Sequence, residues 1–441
     1  MSTIRPLFLA IVFGLLSNAA LSPRQDVTDP KGRVELALPA LQTWYNTSTG
    51  LWETTGWWNS ANIMTMIGDY AEAGPQDAEL QGLAKDVFAT AISCAPSKNP
   101  QPGIEDPPSN GTAPEGNNST MHKSGYFKHL DPITYEPHAV YPPRWYDHSD
   151  GVLTTNNAAP NNVNCTPYAG TPDPNDWLDG FYDDNLWWAL AWINAYDVTR
   201  QRSYLDLAEG IFLAVARTWG TYCSNGGIYW SYEEEYVNAI ANELFFSTAA
   251  HLSTRIAERK GTYVDWAERS LDWFLSSGMI NSNGTINDGL TDSCENNNRT
   301  VWSYNQGVIL GGLVQLQLAS PSPSDTYLTL AHSIATAAIT ELSGSNGVIH
   351  DECEPNCGAD GAQFKGIFMR NLIQLHEAAP DENYAETIRA NAESIWQNNR
   401  MSTQDGLAFF SVDWDGPFVE SANASTHSSA MDALVAAVVL G

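Results

Sequence analysis

Apolar residues recur along most of this chain at spacings of three and four positions, the repeat that gathers them on one face of an α-helix. The repeat predicts twelve helices, near residues 33–46, 60–72, 84–93, 184–199, 203–218, 236–257, 262–276, 303–317, 325–342, 364–378, 383–398 and 428–440. Clusters of Gly, Asn and Pro lie between them, and the clearest strand-like alternation is the short run 228–231. The hydrophobic pattern therefore predicts an all-α protein.

The predicted helices follow one another in pairs, so we expect six helical hairpins closed into an (α/α)6 barrel with an inner and an outer layer. No short sequence repeat marks the hairpins. An open superhelical solenoid is the competing arrangement. In a closed ring, one end forms a funnel lined by loops, and such loops commonly carry function.

One stretch, residues 95–176, interrupts the helical pattern and holds 14 of the 24 prolines. Because proline prevents regular helix, we predict a long irregular insertion within a single domain that spans residues 21–441. Its aromatic residues favour a loop that packs over part of the funnel, whereas its glycosylation sequons favour a partly disordered segment. The sequence does not choose between these two alternatives.

The chain has 441 residues, with 51 acidic against 21 basic side chains and a formal net charge of −30. Such a charge repels the phosphates of nucleic acids and anionic membrane surfaces, so neither is an expected partner. Hydrophobic residues make up 43% of the chain, which is enough for a substantial core. We expect a monomer that needs no obligate protein partner.

The first 20 residues have the features of a signal peptide. Arg5 supplies a positive charge, residues 7–16 are mostly apolar, and 17–19 resemble a cleavage site. Ten apolar residues are too few to span a bilayer core of ~30 Å. A buried N-terminal helix is the alternative to export. We predict a secreted protein of the extracellular space or cell wall.

Cysteines and sequons agree with export. An even count of six cysteines suggests three disulfides among 15 possible pairings, and Cys353 and Cys357 are close enough to close a small loop. Eight Asn-x-Ser/Thr sequons predict a glycosylated surface, at Asn46, Asn110, Asn117, Asn118, Asn164, Asn283, Asn298 and Asn423. The apolar end at 430–440 is short for a lipid-anchor signal and carries Asp432, so we interpret it as an amphipathic helix.

Several common catalytic motifs are absent from the sequence, including Gly-x-Ser-x-Gly, a phosphate-binding loop with lysine, and His-Glu-x-x-His. The acidic run 173–184 fails the EF-hand pattern, because Trp177 and Leu178 stand at its fifth and sixth positions. The nine histidines show no metal-ligand spacing. We therefore expect neither a metal nor another cofactor.

Two adjacent carboxylates, Asp183 and Asp184, stand where a strongly apolar helix begins. A helix cap would explain one of them, because an Asp at a helix start accepts backbone N–H groups. It does not explain two like charges among aromatic residues, where desolvation penalises charge. The pair fits a glycosidase, in which one carboxylate attacks the anomeric carbon and the other donates a proton, at the ~5–5.5 Å separation of a retaining pair.

Aromatic side chains that could stack on sugar rings are numerous. The candidates are Trp57, Trp58, Trp187, Trp188, Trp192, Tyr229, Trp230, Trp302 and Tyr304. Core packing is the alternative for each of them. It is the favoured interpretation for Trp188 and Trp192, which lie four positions apart on one predicted helix.

The run 182–188, Tyr-Asp-Asp-Asn-Leu-Trp-Trp, resembles the signature of glycoside hydrolase family 76, the endo-α-1,6-mannanases. Further runs at 56–62, 238–245, 302–307 and 364–368 follow in family order. The resemblance implies an (α/α)6 barrel, secretion, and retaining hydrolysis of internal α-1,6-mannosidic links of mannan. It implies Asp183 as nucleophile and Asp184 as general acid/base. The sugar-contacting residues that it implies are Trp58, Asn59, Asn185, Trp187, Asn242, Asp288, Tyr304, Asn305, Gln306 and Lys365.

Two features depart from the family pattern, namely the long insertion at 95–176 and the acidic run 233–235. Two other functions compete with hydrolysis. A transglycosylase acting on mannose-containing GPI-anchor glycans would pass the glycosyl group to a sugar hydroxyl instead of water. A non-catalytic mannan-binding protein would keep the aromatic residues but need no paired carboxylates. The continuation Asn-Leu-Trp-Trp at 185–188 favours the hydrolase.

Overall fold

A computed structural model of the protein describes residues 27–100, 172–232, 235–320, 325–358, 360–404, 406–419 and 422–441. Within these residues lie twelve α-helices: α1 Pro30–Gln42, α2 Trp57–Ala73, α3 Ala78–Cys94, α4 Tyr182–Thr199, α5 Arg202–Ala216, α6 Ala239–Arg255, α7 Lys260–Ser277, α8 Ser303–Ala319, α9 Thr326–Leu342, α10 Phe364–Ala378, α11 Glu382–Asn398 and α12 Ala424–Leu440. Each coincides with a helix predicted from the hydrophobic pattern. The expected all-α class is therefore confirmed.

The helices form two concentric layers. The even-numbered helices are the inner layer and pack side by side in the order α2, α4, α6, α8, α10, α12 and back to α2. Each later odd-numbered helix packs outside the inner helix that precedes it, whereas α1 packs against α12. Helix α12 thereby closes the inner ring against α2, whereas the two ends of an open solenoid do not meet. The predicted (α/α)6 barrel is confirmed.

The inner helices are buried on most of their faces, as expected of helices that are apolar all round. Trp188 and Trp192 are 1% and 0% exposed and lie among other aromatic rings, so the prediction that both belong to the core is confirmed. The helix predicted at the C-terminal end is α12, and it is an inner helix. Its Asp432 is buried, with an oxygen 3.7 Å from the guanidinium of Arg370.

Glycines allow neighbouring inner helices to approach closely. A Cβ atom on Gly307 of α8 would lie 2.6 Å from Phe368 Cα in α10. A Cβ atom on Gly366 of α10 would lie 2.6 Å from Ser429 Cα in α12. No side chain fits at such distances. The backbones of these three helices therefore pack in direct contact.

Apart from isolated bridges, strand structure in the described residues consists of two short antiparallel hairpins. They pair β1 Tyr45–Asn46 with β2 Leu51–Trp52, and β3 Arg400–Ser402 with β4 Ala408–Phe410. The strand predicted at 228–231 is wrong, because this segment forms only one bridge, between Ser231 and Phe181. The side-chain amide of Asn242 occupies the N–H and C=O of Ile228, which a strand would use for its ladder.

Two disulfides join described parts of the chain, Cys223–Cys294 and Cys353–Cys357. The second closes the small loop expected from the sequence. Cys94 is disulfide-bonded as well.

The predicted signal peptide, residues 1–20, and most of the insertion at 95–176 lie outside the described residues. The described edges of the insertion form short 3-10 helices at Ala95–Lys98 and Pro174–Trp177. Among the described helices, none combines the length and the apolar character needed to traverse a bilayer.

Candidate active site

The predicted catalytic residues lie at one mouth of the barrel. Because inner and outer helices alternate in direction along the chain, all six inner helices begin at this end. Asp183 and Asp184 are the second and third residues of α4, and α4 starts after Phe181 without a side-chain cap. Neither carboxylate therefore serves as an N-cap. The positive ends of the inner-helix dipoles point toward this mouth and favour anionic groups there.

Asp183 is held by the side chain of Trp230. The indole N–H of Trp230 donates to Asp183 Oδ2 over 3.1 Å. Asp183 Oδ1 is buried and has no hydrogen-bond partner. The backbone N–H of Tyr182 donates to the carbonyl of Trp230 over 2.9 Å, which fixes the indole relative to α4. The indole therefore fixes the orientation of the Asp183 carboxylate, and the second oxygen is enclosed by the protein.

A third carboxyl group, that of Asp179, contacts the pair. Its side chain lies against that of Asp184, close enough for the two carboxyl groups to share a proton. Its Oδ1 accepts the backbone N–H of Phe181 over 3.0 Å, and the residue is only 1% exposed. Asp179 is absent from the site residues predicted from the sequence. The signal that could have found it is a third acidic residue four positions before Asp183 in the same aromatic run.

The surroundings raise the pKa values of both Asp183 and Asp184. Burial raises the pKa of Asp183 to about 7; repulsion from Asp179 adds to the effect, and the Trp230 indole opposes it. Burial raises the pKa of Asp184 well above its usual range, and the negative charges of Asp179, Asp183 and Asp360 raise it further. Asp183 therefore loses its proton first. A protonated acid beside an ionised carboxylate is the arrangement that a glycosidase uses.

Trp58 and Trp187 form an aromatic pair at the start of α2 and α4. Their ring centroids are 5.7 Å apart and their planes lie 24° from parallel. Trp58 is partly exposed, whereas Trp187 is 3% exposed. The indole N–H of Trp58 donates to Asp360 Oδ1 over 3.0 Å. Trp58 therefore offers an oriented ring to a ligand, and Trp187 supports it from below.

Tyr304 belongs to a second aromatic group at the same mouth. Its ring stacks on Phe364 with centroids 3.7 Å apart, and Trp302 contacts Phe364 edge-on at 5.4 Å. Burial raises the pKa of Tyr304 well above its usual range, and the charges of Asp288 and Asp183 add to the effect. The Tyr304 hydroxyl therefore keeps its proton and is neutral.

Two of the predicted sugar-contacting residues hold loops with their amide groups. Asn242 accepts the N–H of Ile228 over 2.8 Å and donates to its carbonyl over 3.0 Å. Gln306 makes the same two bonds with Ile286, at 2.9 Å and 2.9 Å. Each amide thus clamps the extended segment that precedes its own helix. A direct contact of either residue with sugar stays a prediction.

Asn59 and Asn185 are also enclosed, each 0% exposed. Asn59 donates to Gln363 Oε1 over 2.9 Å. Asn185 accepts the backbone N–H of Asp179 over 3.0 Å and donates to the Tyr232 hydroxyl over 3.2 Å. In the described structure both amides support the walls of the site, and their contact with sugar also stays a prediction.

Asp288, Asn305 and Glu243 differ in how their polar atoms are used. Asp288 is partly exposed, and its Oδ2 accepts the hydroxyl of Tyr236 over 2.5 Å. Asn305 and Glu243 are both 0% exposed, and none of their side-chain polar atoms has a hydrogen-bond partner. Burial raises the pKa of Glu243 well above its usual range. Glu243, in the run 238–245, was not among the residues predicted for the site.

Among the described residues, one group has metal-ligand spacing, and it lies beside Lys365. The ligand atoms of His350, Glu354 and Asp413 all lie within 4.8 Å of one another. The Lys365 ammonium lies 2.7 Å from Glu354 Oε1 and over the ring of Trp414 at 4.4 Å. This ammonium already supplies the positive charge that a cation would bring. We therefore assign no metal to these three residues, and the enclosed Lys365 is oriented toward Glu354.

A cavity of about 580 Å³ lies in the other half of the barrel. All six inner helices line it, toward their C-terminal halves, and charged side chains such as Asp69 and Arg255 contribute to its wall. Trp187 forms part of this wall, whereas Asp183 and Asp184 do not. The cavity is therefore separate from the carboxyl pair. Asp183 and Asp184 lie instead at the mouth where the inner helices begin, so we place the candidate active site there.

Comparison with known sequences identifies related proteins. The profile of Glycosyl hydrolase family 76 matches residues 158–440. Mannan endo-1,6-alpha-mannosidase DCW1 of Candida glabrata is 28% identical over 262 residues, which covers 54% of this chain and 57% of the relative. Mannan endo-1,6-alpha-mannosidase DFG5 of Saccharomyces cerevisiae is 26% identical over 204 residues, covering 43% and 44%. The chain thus matches only about half the length of these curated relatives.

Solved structures share the architecture. An inactive variant of the alpha-1,6-mannanase GH76A of Salegentibacter sp. HEL1_6, with two aspartates replaced by alanine and alpha-1,6-mannotetrose bound, is similar with a TM-score of 0.65. It is 18% identical, and the match covers 94% of this chain and 100% of that one. Dfg5 from Chaetomium thermophilum, in complex with glucosamine, has a TM-score of 0.65 and 17% identity, covering 94% and 92%. At these identities the likeness establishes a common fold.

Proposed function

Because the chain belongs to glycosyl hydrolase family 76, we propose that it hydrolyses internal α-1,6-mannosidic links of mannan with retention of configuration. The observation that carries the proposal is the adjacent pair Asp183 and Asp184 at the barrel mouth, with proton affinities set apart by their surroundings. Relatives named as mannan endo-1,6-alpha-mannosidases support the substrate. A mannanase inactivated by replacing two aspartates supports the choice of the pair.

In the first step, the ionised Asp183 attacks the anomeric carbon of a mannose unit. The Trp230 indole orients the attacking carboxylate through its bond to Oδ2. Asp184 donates its proton to the glycosidic oxygen, so the bond to the leaving sugar breaks as the bond to Asp183 forms. The products of this step are a mannosyl ester on Asp183, a free sugar hydroxyl and an ionised Asp184.

In the second step, a water molecule attacks the same carbon from the opposite face. The ionised Asp184 takes a proton from this water, and the ester bond to Asp183 breaks. Both carboxyl groups return to their starting protonation states. Two inversions at one carbon give net retention, so the first-formed product keeps the α configuration.

The aromatic residues at the mouth account for binding a neutral sugar chain. Trp58 is partly exposed and oriented by its bond to Asp360. Trp302 and Tyr304 are partly exposed beside Phe364. Such rings supply apolar contact area and a polar edge at low entropic cost, which suits sugar rings.

We also propose that the protein acts outside the cell. Two disulfides in the described chain, Cys223–Cys294 and Cys353–Cys357, support this localisation. Disulfides form and persist in oxidising compartments and are rare in the cytosol. Fractionation of a culture that expresses the full chain tests the proposal, with the protein expected in the medium or cell wall.

Digestion of unbranched α-1,6-mannan tests the activity. We expect shortened manno-oligosaccharides, with an α anomeric signal in NMR spectra taken before mutarotation. Asp183→Asn and Asp184→Asn should each lower kcat by about a thousandfold or more, because each removes a group that the chemistry requires. Both variants should still bind α-1,6-manno-oligosaccharides.

Asp176→Asn is the matched control, since Asp176 lies in the preceding 3-10 helix Pro174–Trp177 and is not part of the pair. It should cleave mannan at the wild-type rate. Unchanged activity in both catalytic variants would overturn the proposal. A β product would exclude the retaining mechanism, and elongated products with an oligomannoside acceptor would show transglycosylation instead.

A further inference from the structure

We infer that Asp179 is a positioning residue that keeps the catalytic proton on Asp184 until the glycosidic oxygen takes it. The inference rests on the proposed function and assigns a role to the third carboxyl group of the site. It follows from how the two oxygens of Asp179 are placed.

Asp179 is locked in position from both sides. Its Oδ1 accepts the N–H of Phe181 over 3.0 Å, and its own backbone N–H donates to Asn185 Oδ1 over 3.0 Å. Asn185 is in turn bonded to the Tyr232 hydroxyl over 3.2 Å. With 1% of its surface exposed, Asp179 has no route to solvent. Its carboxyl group therefore stays against the first turn of α4.

The second oxygen of Asp179 is buried without a fixed hydrogen-bond donor, and the Asp184 carboxyl group is close enough to interact with Asp179. When both groups are ionised, Asp179 Oδ2 is buried without any donor. Two touching carboxylates in a buried site repel each other strongly, whereas one shared proton turns the contact into a hydrogen bond. The N–H of Phe181 stabilises the anion on Asp179. The proton therefore sits on Asp184 and points to Asp179.

The remaining charges near Asp184 act in the same direction. The largest charge effects on it come from acidic groups, namely Asp179, Asp183 and Asp360. Acidic groups on the facing helices and loops also act on Tyr304 of α8, and they are Asp288, Asp183, Glu243 and Asp360. Asp179 differs from the others because it also accepts a hydrogen bond from Asp184. Removing its charge should therefore lower the proton affinity of Asp184 more than any other single change.

The position of Asp179 serves both steps of the reaction. In the first step, Asp184 passes its proton from the contact with Asp179 to the leaving oxygen. The new anion on Asp184 then faces the anion on Asp179, and this repulsion makes Asp184 a stronger base toward water. When the proton from water arrives on Asp184, the contact is restored, so no net proton is gained or lost.

Asp179→Asn tests this role, because it removes the charge and keeps both the shape and an acceptor for the Phe181 N–H. The basic limb of the pH profile of kcat/KM on α-1,6-mannan should move to lower pH by about one unit or more. The loss of rate should be large on mannan and small on an aryl α-1,6-mannobioside whose leaving group needs no proton. Asp176→Asn should change neither the profile nor the ratio of the two rates.

Titration of the aspartate carboxyl groups by carbon-13 NMR gives a readout that needs no activity. In the wild-type protein the Asp184 carboxyl should be one of several aspartates, with Asp69 and Asp183, that titrate above the usual range. Its signal should be lost in Asp184→Asn and should move to lower pH in Asp179→Asn. Asp179→Ser, which also keeps an acceptor, should show the same movement if the amide variant fails to fold.

The outcomes separate this inference from the proposed function. A titration and a pH profile that stay at their wild-type positions in Asp179→Asn would show that Asp179 is merely structural. Equal loss of rate on mannan and on the aryl substrate would contradict the positioning role as well. A wild-type protein inactive on mannan but showing the expected shifts would refute the mannanase proposal while supporting the proton assignment.

Discussion

Individual side chains in the site differ mainly in what surrounds their polar atoms. Asp183 Oδ2 has an indole donor, Asp184 meets a third carboxyl group, and Glu243 has no partner at all. A buried carboxyl group without a donor keeps its proton, because desolvation penalises the charged form. Residues of one chemical type thus take different protonation states within one barrel mouth.

Trp230→Phe should weaken Asp183 as a nucleophile while preserving the ring. The substitution removes the N–H that favours the ionised form, so the pKa of Asp183 should rise above about 7. The acidic limb of the pH profile of kcat/KM should move to higher pH. At pH values below that limb, kcat/KM should fall about tenfold, because a hydrogen bond to a charged group typically contributes that much. A pH–rate profile on α-1,6-mannan measures both effects.

Trp273→Phe is the matched control for this change, because its indole N–H donates to the carbonyl of Cys223 over 3.0 Å instead of to a carboxylate. Its pH profile should match the wild type. The assigned role of Trp230 would be contradicted if the two variants gave the same profile.

Glu243→Gln should make stability less dependent on pH. The pKa of Glu243 is raised in the folded protein above the usual 4.5. Its contribution to stability is therefore full below about pH 4.5 and decreases as pH rises toward the folded-state pKa. Glutamine cannot ionise, so the variant should lose less stability than the wild type between pH 5 and pH 8, as followed by urea unfolding. Glu386→Gln on the exposed face of α11 should keep the wild-type pH dependence.

At the scale of elements, amide side chains set how loops meet the inner helices. Asn242 clamps Ile228 before α6, and Gln306 clamps Ile286 before α8. Bidentate bonds of this kind satisfy buried backbone groups that would otherwise lack partners. The segments that carry Trp230 and Asp288 are thereby held beside the first turns of their helices.

Gly307→Ala should destabilise the barrel at the contact between α8 and α10. The added Cβ would lie 2.6 Å from Phe368 Cα, so the helices must separate, which typically costs about 1–3 kcal/mol. Gly261→Ala in α7 is the matched control, because nothing lies within 4 Å of its added Cβ. This control should be neutral or stabilising by about 0.5–1 kcal/mol through helix propensity. Urea unfolding of both variants checks the difference, and equal losses would contradict the close-packed contact.

At the scale of the whole molecule, ring closure depends on contacts between residues far apart in sequence. Helix α12 packs against α1 of the outer layer and α2 of the inner layer, so the two ends of the described chain meet where the ring closes. The Cys223–Cys294 disulfide spans 71 residues and joins the loop of Trp230 to the segment after Asp288. It therefore ties together two walls of the candidate active site.

Replacing Cys223 and Cys294 by serine should cost more stability than replacing Cys353 and Cys357. In the chain-entropy account, the loss grows with the length of the loop that a disulfide closes. The loop of 71 residues gives about 4 kcal/mol, and the loop of 4 residues gives about 2 kcal/mol. Denaturant unfolding of both double variants tests this order. A larger loss in the second variant would show that local strain or packing outweighs chain entropy.

The sequence by itself determined the helices, because the three- and four-residue repeat of apolar positions depends only on local geometry. It also determined that Asp183 and Asp184 begin α4 and that Trp188 and Trp192 face the core. Cys353 and Cys357 could be paired because they are four residues apart. In each case the residues that matter are neighbours along the chain.

Tertiary structure decided which atoms meet across the ring. The Trp230 indole reaches Asp183 from 47 residues away, and no local pattern announces that contact. No local pattern announces the two hydrogen bonds between Asn242 and Ile228, which take the place of the predicted strand. No local pattern announces the complete burial of Glu243 either. Protonation states depend on burial and on charges brought together by folding. For this reason the carboxyl pair could be located from the sequence, whereas the proton-holding contact with Asp179 required the three-dimensional arrangement.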